Sequence, residues 1–296
     1  MLPYFVMPVR IHPTAIVDPK AEIDSDVEIG PFSVIRADVR IGKGTKIGSY
    51  VYIDNGTRIG ENNKIFHHAV IGTAPQDLKY RGEKTFTEIG NNNIIREFVT
   101  INRATAVTGR AITGKTIIGN GSLLMAYVHV AHDCRVGNEV ILANAVNMGG
   151  FVEIDDFAVV GGIVPIHQFV RVGKLAIIGA GLRIVQDICP YIKVDGPPAR
   201  PAGLNSIGLK RRGFPSEKRR ILKQAYRIIF RSSYNTSQAL EALKNSFGYE
   251  SHNESKNTPC NIPEVREIID FISKPSRRGL LKSAGHKRAE LNNNNS

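Results

Sequence analysis

Residues 23–65 read IDSDVEIGPFSVIRADVRIGKGTKIGSYVYIDNGTRIGENNKI, with isoleucine at every sixth position: Ile23, Ile29, Ile35, Ile41, Ile47, Ile53, Ile59 and Ile65. Glycine follows several of these anchors (Gly30, Gly42, Gly48, Gly60), and a small or β-branched residue often stands four places on (Val27, Thr45, Val51). A period of six matches neither the 3.6-residue helix nor the two-residue strand. A three-sided prism accounts for it. Each hexad supplies one short strand and one corner, and three hexads make a coil of eighteen. The aliphatic anchor points inward, and successive coils pair as parallel strands about 4.8 Å apart.

Working outward, the register begins at Ile11 and Val17 and runs on to Ile71. It resumes at Ile89, Ile95 and Ile101, and again from Ile118 through Val130, Met148 and Ile166 to Ile184. The interruptions, at about 73–84 and 104–116, are expected to be loops extruded from a prism spanning 11–190. Beyond it, Gly196-Pro197-Pro198-Ala199-Arg200-Pro201 is a breaker cluster. A helical unit is expected over 203–282. Its first helix starts at Pro215-Ser216-Glu217, capped by Ser216, with Ile221, Leu222, Ala225, Ile228 and Ile229 on the apolar face. Further helices are expected at about 237–247 and 263–272, and 283–296 reads as a disordered tail.

The chain has 296 residues and a formal charge of +12. From Gly203 onward, 18 Lys and Arg stand against 8 Asp and Glu, so most of the excess sits in the helical unit. A basic module beside a near-neutral scaffold suits an acidic partner, or simply solubility. No apolar run reaches membrane-span length. The N-terminus lacks the features of a signal peptide. Three scattered cysteines (Cys134, Cys189, Cys260) without a CxxC fit a reducing compartment.

Chemistry must come from polar residues that break the surface pattern. His129 and His132 straddle anchor Val130, and Asp133 follows as an orienting carboxylate for a general base. The bland alternative is a pair of solvated corner histidines. Position 132 is anchor plus two, as are Gly150 and Gln168, one and two coils on; His132 and Gln168 should therefore stack about 10 Å apart. Gly149 and Gly150 offer N–H groups suited to an oxyanion. The loop segment Gln76-Asp77-Leu78-Lys79-Tyr80-Arg81 is either a substrate clamp or plain solvated surface. Lys210-Arg211-Arg212 suits phosphate, though weakly on its own. His129, His132 and His167 differ in phase, so one face is not expected to gather them round a metal.

Four segments in order, Gln76–Tyr80, Ala131–Cys134, His167–Phe169 and Gly208–Arg212, resemble the UDP-N-acetylglucosamine 3-O-acyltransferase family, which catalyses the first step of lipid A synthesis. The hexads resemble the left-handed parallel β-helix, and the left hand is implied by that resemblance alone. The resemblance implies a cytoplasmic homotrimer with sites between neighbouring prisms. The reaction it implies is cofactor-free transfer of a 3-hydroxyacyl chain from acyl carrier protein to UDP-N-acetylglucosamine; neither a nucleic-acid partner nor an integral membrane segment is expected. It makes His132 the general base, Asp133 its orienter and the Gly149 N–H the oxyanion donor. Asp77, Lys79, His129, His167 and Gln168 would line the substrate site, and Asn205, Arg211 and Arg212 would face the nucleotide. Departures at Gly150, Asn102 and Ile207 leave open whether the acceptor atom is a hydroxyl or an amine. A zinc-dependent hydratase and a non-catalytic carrier-binding scaffold are the alternative readings.

Overall fold

The computed structural model describes residues 8–106, 114–248 and 262–282. Most of the second expected loop, the stretch 249–261 and the expected tail 283–296 lie outside the described residues.

Among the described residues three sheets of eleven, eight and eight strands form the sides of a prism. The anchors stack in single file inside it. In the first sheet Ile29, Ile47, Ile65, Ile95, Leu124, Leu142, Val160 and Ile178 are paired one above the next, all in parallel. All eight are under 5 % exposed. Each fully buried aliphatic side chain contributes about 1.5–3 kcal/mol of transfer free energy, and the column repeats that gain on every coil.

The three corners differ. The third, between the third and first sheets, is laced on both surfaces. Inside, the Asn63 amide oxygen accepts from the Asn93 N–H at 2.9 Å, and Asn93 Oδ1 accepts from the Ser122 N–H at 2.8 Å. Outside, Asn91, Asn120, Asn138 and Asp156 each accept the spare backbone N–H of the coil below, at 2.6–2.9 Å. The first corner carries a ladder of exposed stacked rings, Phe32, Tyr50, His68, Phe98 and Tyr127, with centroids 4.8–5.0 Å apart. The second corner gives rise to both extruded loops. Val70–Thr73 belongs to the second sheet and Phe86–Ile89 to the third, and Thr100–Asn102 and Lys115–Ile118 are divided in the same way.

Past the prism, Ile192–Asp195 adds one more parallel strand to the first sheet. The breaker cluster turns the chain back, so Arg200–Leu204 closes that sheet as an antiparallel strand carrying Pro201. Four helices follow: α1 (Ser206–Arg211), α2 (Ser216–Phe230), α3 (Thr236–Phe247) and α4 (Pro263–Ser273). The amphipathic face of α2 buries Leu222, Ala225, Tyr226, Ile229 and Phe230 against its neighbours. Two expectations change. Ser216 is the first helical residue of α2 and gives no cap bond; the cap position is Pro215. The short helix α1 was not foreseen; Asn205 caps it by accepting the Gly208 N–H at 3.0 Å.

Candidate active site

The second corner concentrates the polar residues singled out from the sequence. Asp133 takes a left-handed backbone conformation there (φ 60°), which Asp adopts more readily than most residues. Its N–H donates to Thr116 Oγ1 at 2.9 Å. Its side chain is wholly buried. Oδ2 accepts from the Thr105 N–H at 3.0 Å, the Thr105 hydroxyl at 2.7 Å and His132 Nδ1 at 2.8 Å. Thr105 and Thr116 are the two roots of the second loop, so that excursion locks the carboxylate in place.

An ionised carboxylate only accepts, so His132 Nδ1 carries the hydrogen. In the neutral ring Nε2 then holds the lone pair, as a base requires. The ring meets Phe151 edge-on at 5.3 Å, and Phe151 stacks on Phe169 at 4.9 Å. It also lies against Gly150: a Cβ added there would stand 2.5 Å from Cε1 and 2.6 Å from Nε2. The expected column is therefore real. Phe151 donates its N–H to the His132 carbonyl, and Phe169 donates to that of Gly150.

The Gly149 N–H, expected to meet an oxyanion, is already engaged. The Gly149 N–H donates to the Ile166 carbonyl at 2.9 Å, because residues at anchor plus one are consumed by coil-to-coil pairing. The spare N–H falls at anchor plus two. At the third corner an Asn or Asp from the next coil accepts it; at the second corner the residue above Gly150 is Gln168, whose side chain makes no such bond. The Gly150 N–H has no acceptor among the described residues. Gly149 serves close packing, since a Cβ there would meet the Gln168 backbone nitrogen at 2.8 Å.

His129, on the outer face of the second sheet, shares a 2.7 Å hydrogen bond between Nδ1 and Thr100 Oγ1. Burial, and then the neighbouring His132 charge, hold its pKa below the usual histidine value, which favours the neutral ring. His167 and Gln168 lie two coils above His132. Asp77 and Lys79 sit on the first loop, where Asp77 Oδ1 accepts the Lys79 N–H at 2.9 Å. Asn102 ties that loop to the prism by donating to Ala74 O at 2.9 Å, and Arg103 does so through Gly72 O and Asp54, both at 2.7 Å.

The expected nucleotide contacts are not at this corner. Asn205 is 8 % exposed, and its side chain is engaged at both ends, by the Gly208 N–H and by donation to Leu175 O at 2.9 Å. Arg212 pairs with Glu139 at 2.8 Å and lies 3.8 Å over the Phe157 ring, at the third corner. Arg211 is exposed in the last turn of α1. One chain's His132 and its Arg212 thus occupy different edges of the prism. Sequence reasoning missed Thr105, Thr116 and Arg103; the only sign of them was their position flanking the extruded loops. Among the described residues no three His, Cys, Asp or Glu side chains gather as a metal cluster.

Comparison with known proteins follows the same division. A family model described as "Bacterial transferase hexapeptide (six repeats)" matches residues 38–73 and 115–150, and one described as "Udp N-acetylglucosamine O-acyltransferase; Domain 2" matches 187–281. A curated relative from Thermodesulfovibrio yellowstonii, named acyl-[acyl-carrier-protein]–UDP-N-acetylglucosamine O-acyltransferase, is 46% identical over 92% of this chain and 99% of its own length. The solved UDP-N-acetylglucosamine acyltransferase of Francisella novicida superposes with a TM-score of 0.86 at 37% identity, covering 94% of this chain and 95% of that one. The enzyme of Bacteroides fragilis superposes with a TM-score of 0.81 at 44% identity, covering 91% and 99%. These matches bear out the left-handed parallel β-helix with its C-terminal helical part.

Proposed function

The chain belongs to the UDP-N-acetylglucosamine O-acyltransferase family, and from that premise we propose that it transfers a 3-hydroxyacyl chain from acyl carrier protein to the 3-hydroxyl of UDP-N-acetylglucosamine, in lipid A synthesis. The relatives' shared name specifies O-acyl transfer, which favours a hydroxyl acceptor over an amine.

His132 Nε2 takes the proton from the sugar hydroxyl as the oxygen attacks the thioester carbonyl. The tetrahedral oxyanion receives the Gly150 N–H, one coil above the base. Collapse breaks the carbon–sulfur bond, and the imidazolium returns its proton to the departing thiolate. Asp133 keeps the ring in the productive tautomer and stabilises its charged form. General-base assistance of this kind is worth about 10²–10⁴-fold. The observation that carries the proposal is the 2.8 Å bond from His132 to the wholly buried Asp133, which leaves Nε2 facing the glycine backbone.

The active assembly is a homotrimer, in which Arg211 and Arg212 of one chain serve the nucleotide bound near His132 of the next. The separation of these residues on different prism edges and the exposed ring ladder at the first corner support a neighbouring copy. Asp77 and Lys79 contact the sugar-nucleotide from the first loop. The acidic carrier docks on the cationic helical unit. Among the described residues no helix is long and apolar enough to cross a membrane.

The test is His132→Ala, purified and assayed for acyl transfer beside wild type, with sedimentation to count chains. Loss of transfer by a preserved trimer is expected. Wild-type turnover by the variant would remove His132 from the mechanism.

A further inference from the structure

Two charged side chains reach the second corner from the helical unit without a role in the steps above. After α4 the chain doubles back as a strap. The Gly279 carbonyl accepts the Asp187 N–H at 2.8 Å, and the Leu281 N–H donates to Asp187 O at 2.9 Å. Asp187 is itself buried and paired with Arg171 at 2.7 Å, so the strap is seated on a fixed point.

The strap brings Arg278 to the end of the His132–Gly150–Gln168 column. Its Nε donates to the Gln168 carbonyl at 2.8 Å. Its Nη2 touches His167 Nδ1 and stands 3.2 Å from Nε2. Beside it, the Arg277 guanidinium lies 4.2 Å over the Phe169 ring, the outer member of the stack that receives the edge of His132.

A guanidinium only donates. The imidazole nitrogen closest to it must offer a lone pair, so Nδ1 of His167 accepts and the ring hydrogen resides on Nε2. The 3.3 Å separation of Nδ1 from the Gln168 carbonyl is then that of two acceptors sharing one cation, and not a hydrogen bond between them.

We propose that Arg278 is a positioning residue for the transfer: it fixes His167 as an Nε2–H donor and pins the Gln168 backbone, so the far wall of the substrate site is set by the helical unit. This rests on the placement of His167 and Gln168 in the nucleotide-sugar site. A sugar diphosphate offers many oxygen acceptors, and an N–H donor of fixed direction contributes to holding one of them.

The test is steady-state kinetics of the full chain with UDP-N-acetylglucosamine and the 3-hydroxyacyl carrier it turns over fastest. Arg278→Ala, Arg278→Lys and His167→Ala are compared, and the histidines are labelled with ¹⁵N to read tautomers. Arg278→Ala is expected to raise the KM for the nucleotide sugar about tenfold, the scale of a lost charge-assisted hydrogen bond, with kcat within about twofold. Its His167 signal should lose the Nε2–H signature. Arg278→Lys should recover part of the loss, because an ammonium lacks the fork that serves both acceptors. A wild-type KM in Arg278→Ala, while His167→Ala raises it, overturns the proposal alone. A wild-type KM in His167→Ala instead refutes the site placement beneath it. Equal falls in kcat and melting temperature without a KM change mark a purely structural strap and also overturn it. If Arg278→Ala does not fold, Arg278→Lys decides: a raised KM supports the proposal and a wild-type KM rejects it.

Discussion

Replacing Gly150 with alanine adds one methyl group at the point where the coil lies against the proposed base. Its Cβ would sit 2.5 Å from His132 Cε1, 2.6 Å from Nε2 and 3.2 Å from Nδ1. Carbon contacts settle at about 3.5–4.0 Å, so the ring must retreat by about 1 Å. Asp133 cannot follow, because Thr105 and Thr116 hold it. A 2.8 Å hydrogen bond lengthened by that amount passes beyond about 3.5 Å and is lost. Gly150 does not occupy the left-handed region, so the substitution adds no backbone strain, and the N–H proposed for the oxyanion survives. The effect should fall on kcat. A displacement of about 1 Å of a reacting group costs on the order of 100-fold, about 2.7 kcal/mol in the barrier. Steady-state transfer assays, with melting temperature and sedimentation as controls, measure it. A trimeric Gly150→Ala variant whose kcat stays within threefold of wild type would refute the contact between this backbone and a working imidazole. Gly149→Ala makes the contrast, since its methyl meets Gln168 backbone and should weaken folding instead.

Three other outcomes are expected. Arg220 and Arg227 lie seven residues apart on the exposed side of α2; Arg220→Glu with Arg227→Glu should raise the KM for the acyl carrier at least about tenfold, with the gap shrinking as salt is added, and leave kcat alone. Asn93→Ala strands the Ser122 N–H and the Gly119 carbonyl inside the third corner; a loss of about 2–4 kcal/mol by denaturant unfolding is expected, and less than 1 kcal/mol would show the lacing to be dispensable. His129 has its folded-state pKa below the unfolded value. The unfolded chain therefore takes up the proton first, and stability should decline as pH falls below about 6.5, the unfolded histidine value. His129→Gln should flatten that decline, and an unchanged slope in melting temperature against pH would count against the burial of a neutral ring.

The prism was legible because its anchors all occupy one environment, the interior, and the period records it coil after coil. The column of His132, Gly150 and Gln168 followed from arithmetic on the same period. What arithmetic could not decide was which of two adjacent glycines has a spare N–H, since that depends on which phase the coil-to-coil pairing consumes. Helix α1 escaped because six residues containing Gly208 give too little periodicity. Asn205, expected at the nucleotide, proved to be that helix's cap, a role that the same side chain chemistry allows. Arg278 was invisible for another reason: it meets Gln168 across 110 positions of sequence, and no local pattern spans that distance.

The reversed strand Arg200–Leu204 bears on how such a molecule stays finite. A stack of parallel rungs has sticky ends by construction, since its last layer offers the same unpaired amides that every earlier layer used to recruit the next. At this end of the first sheet the outermost strand runs against the rest, and Pro201 withholds one amide altogether. A second solenoid arriving there finds neither the direction nor the full set of donors that its own first rung would require. Elongation of the first sheet is thereby disfavoured at that end, at the cost of five residues.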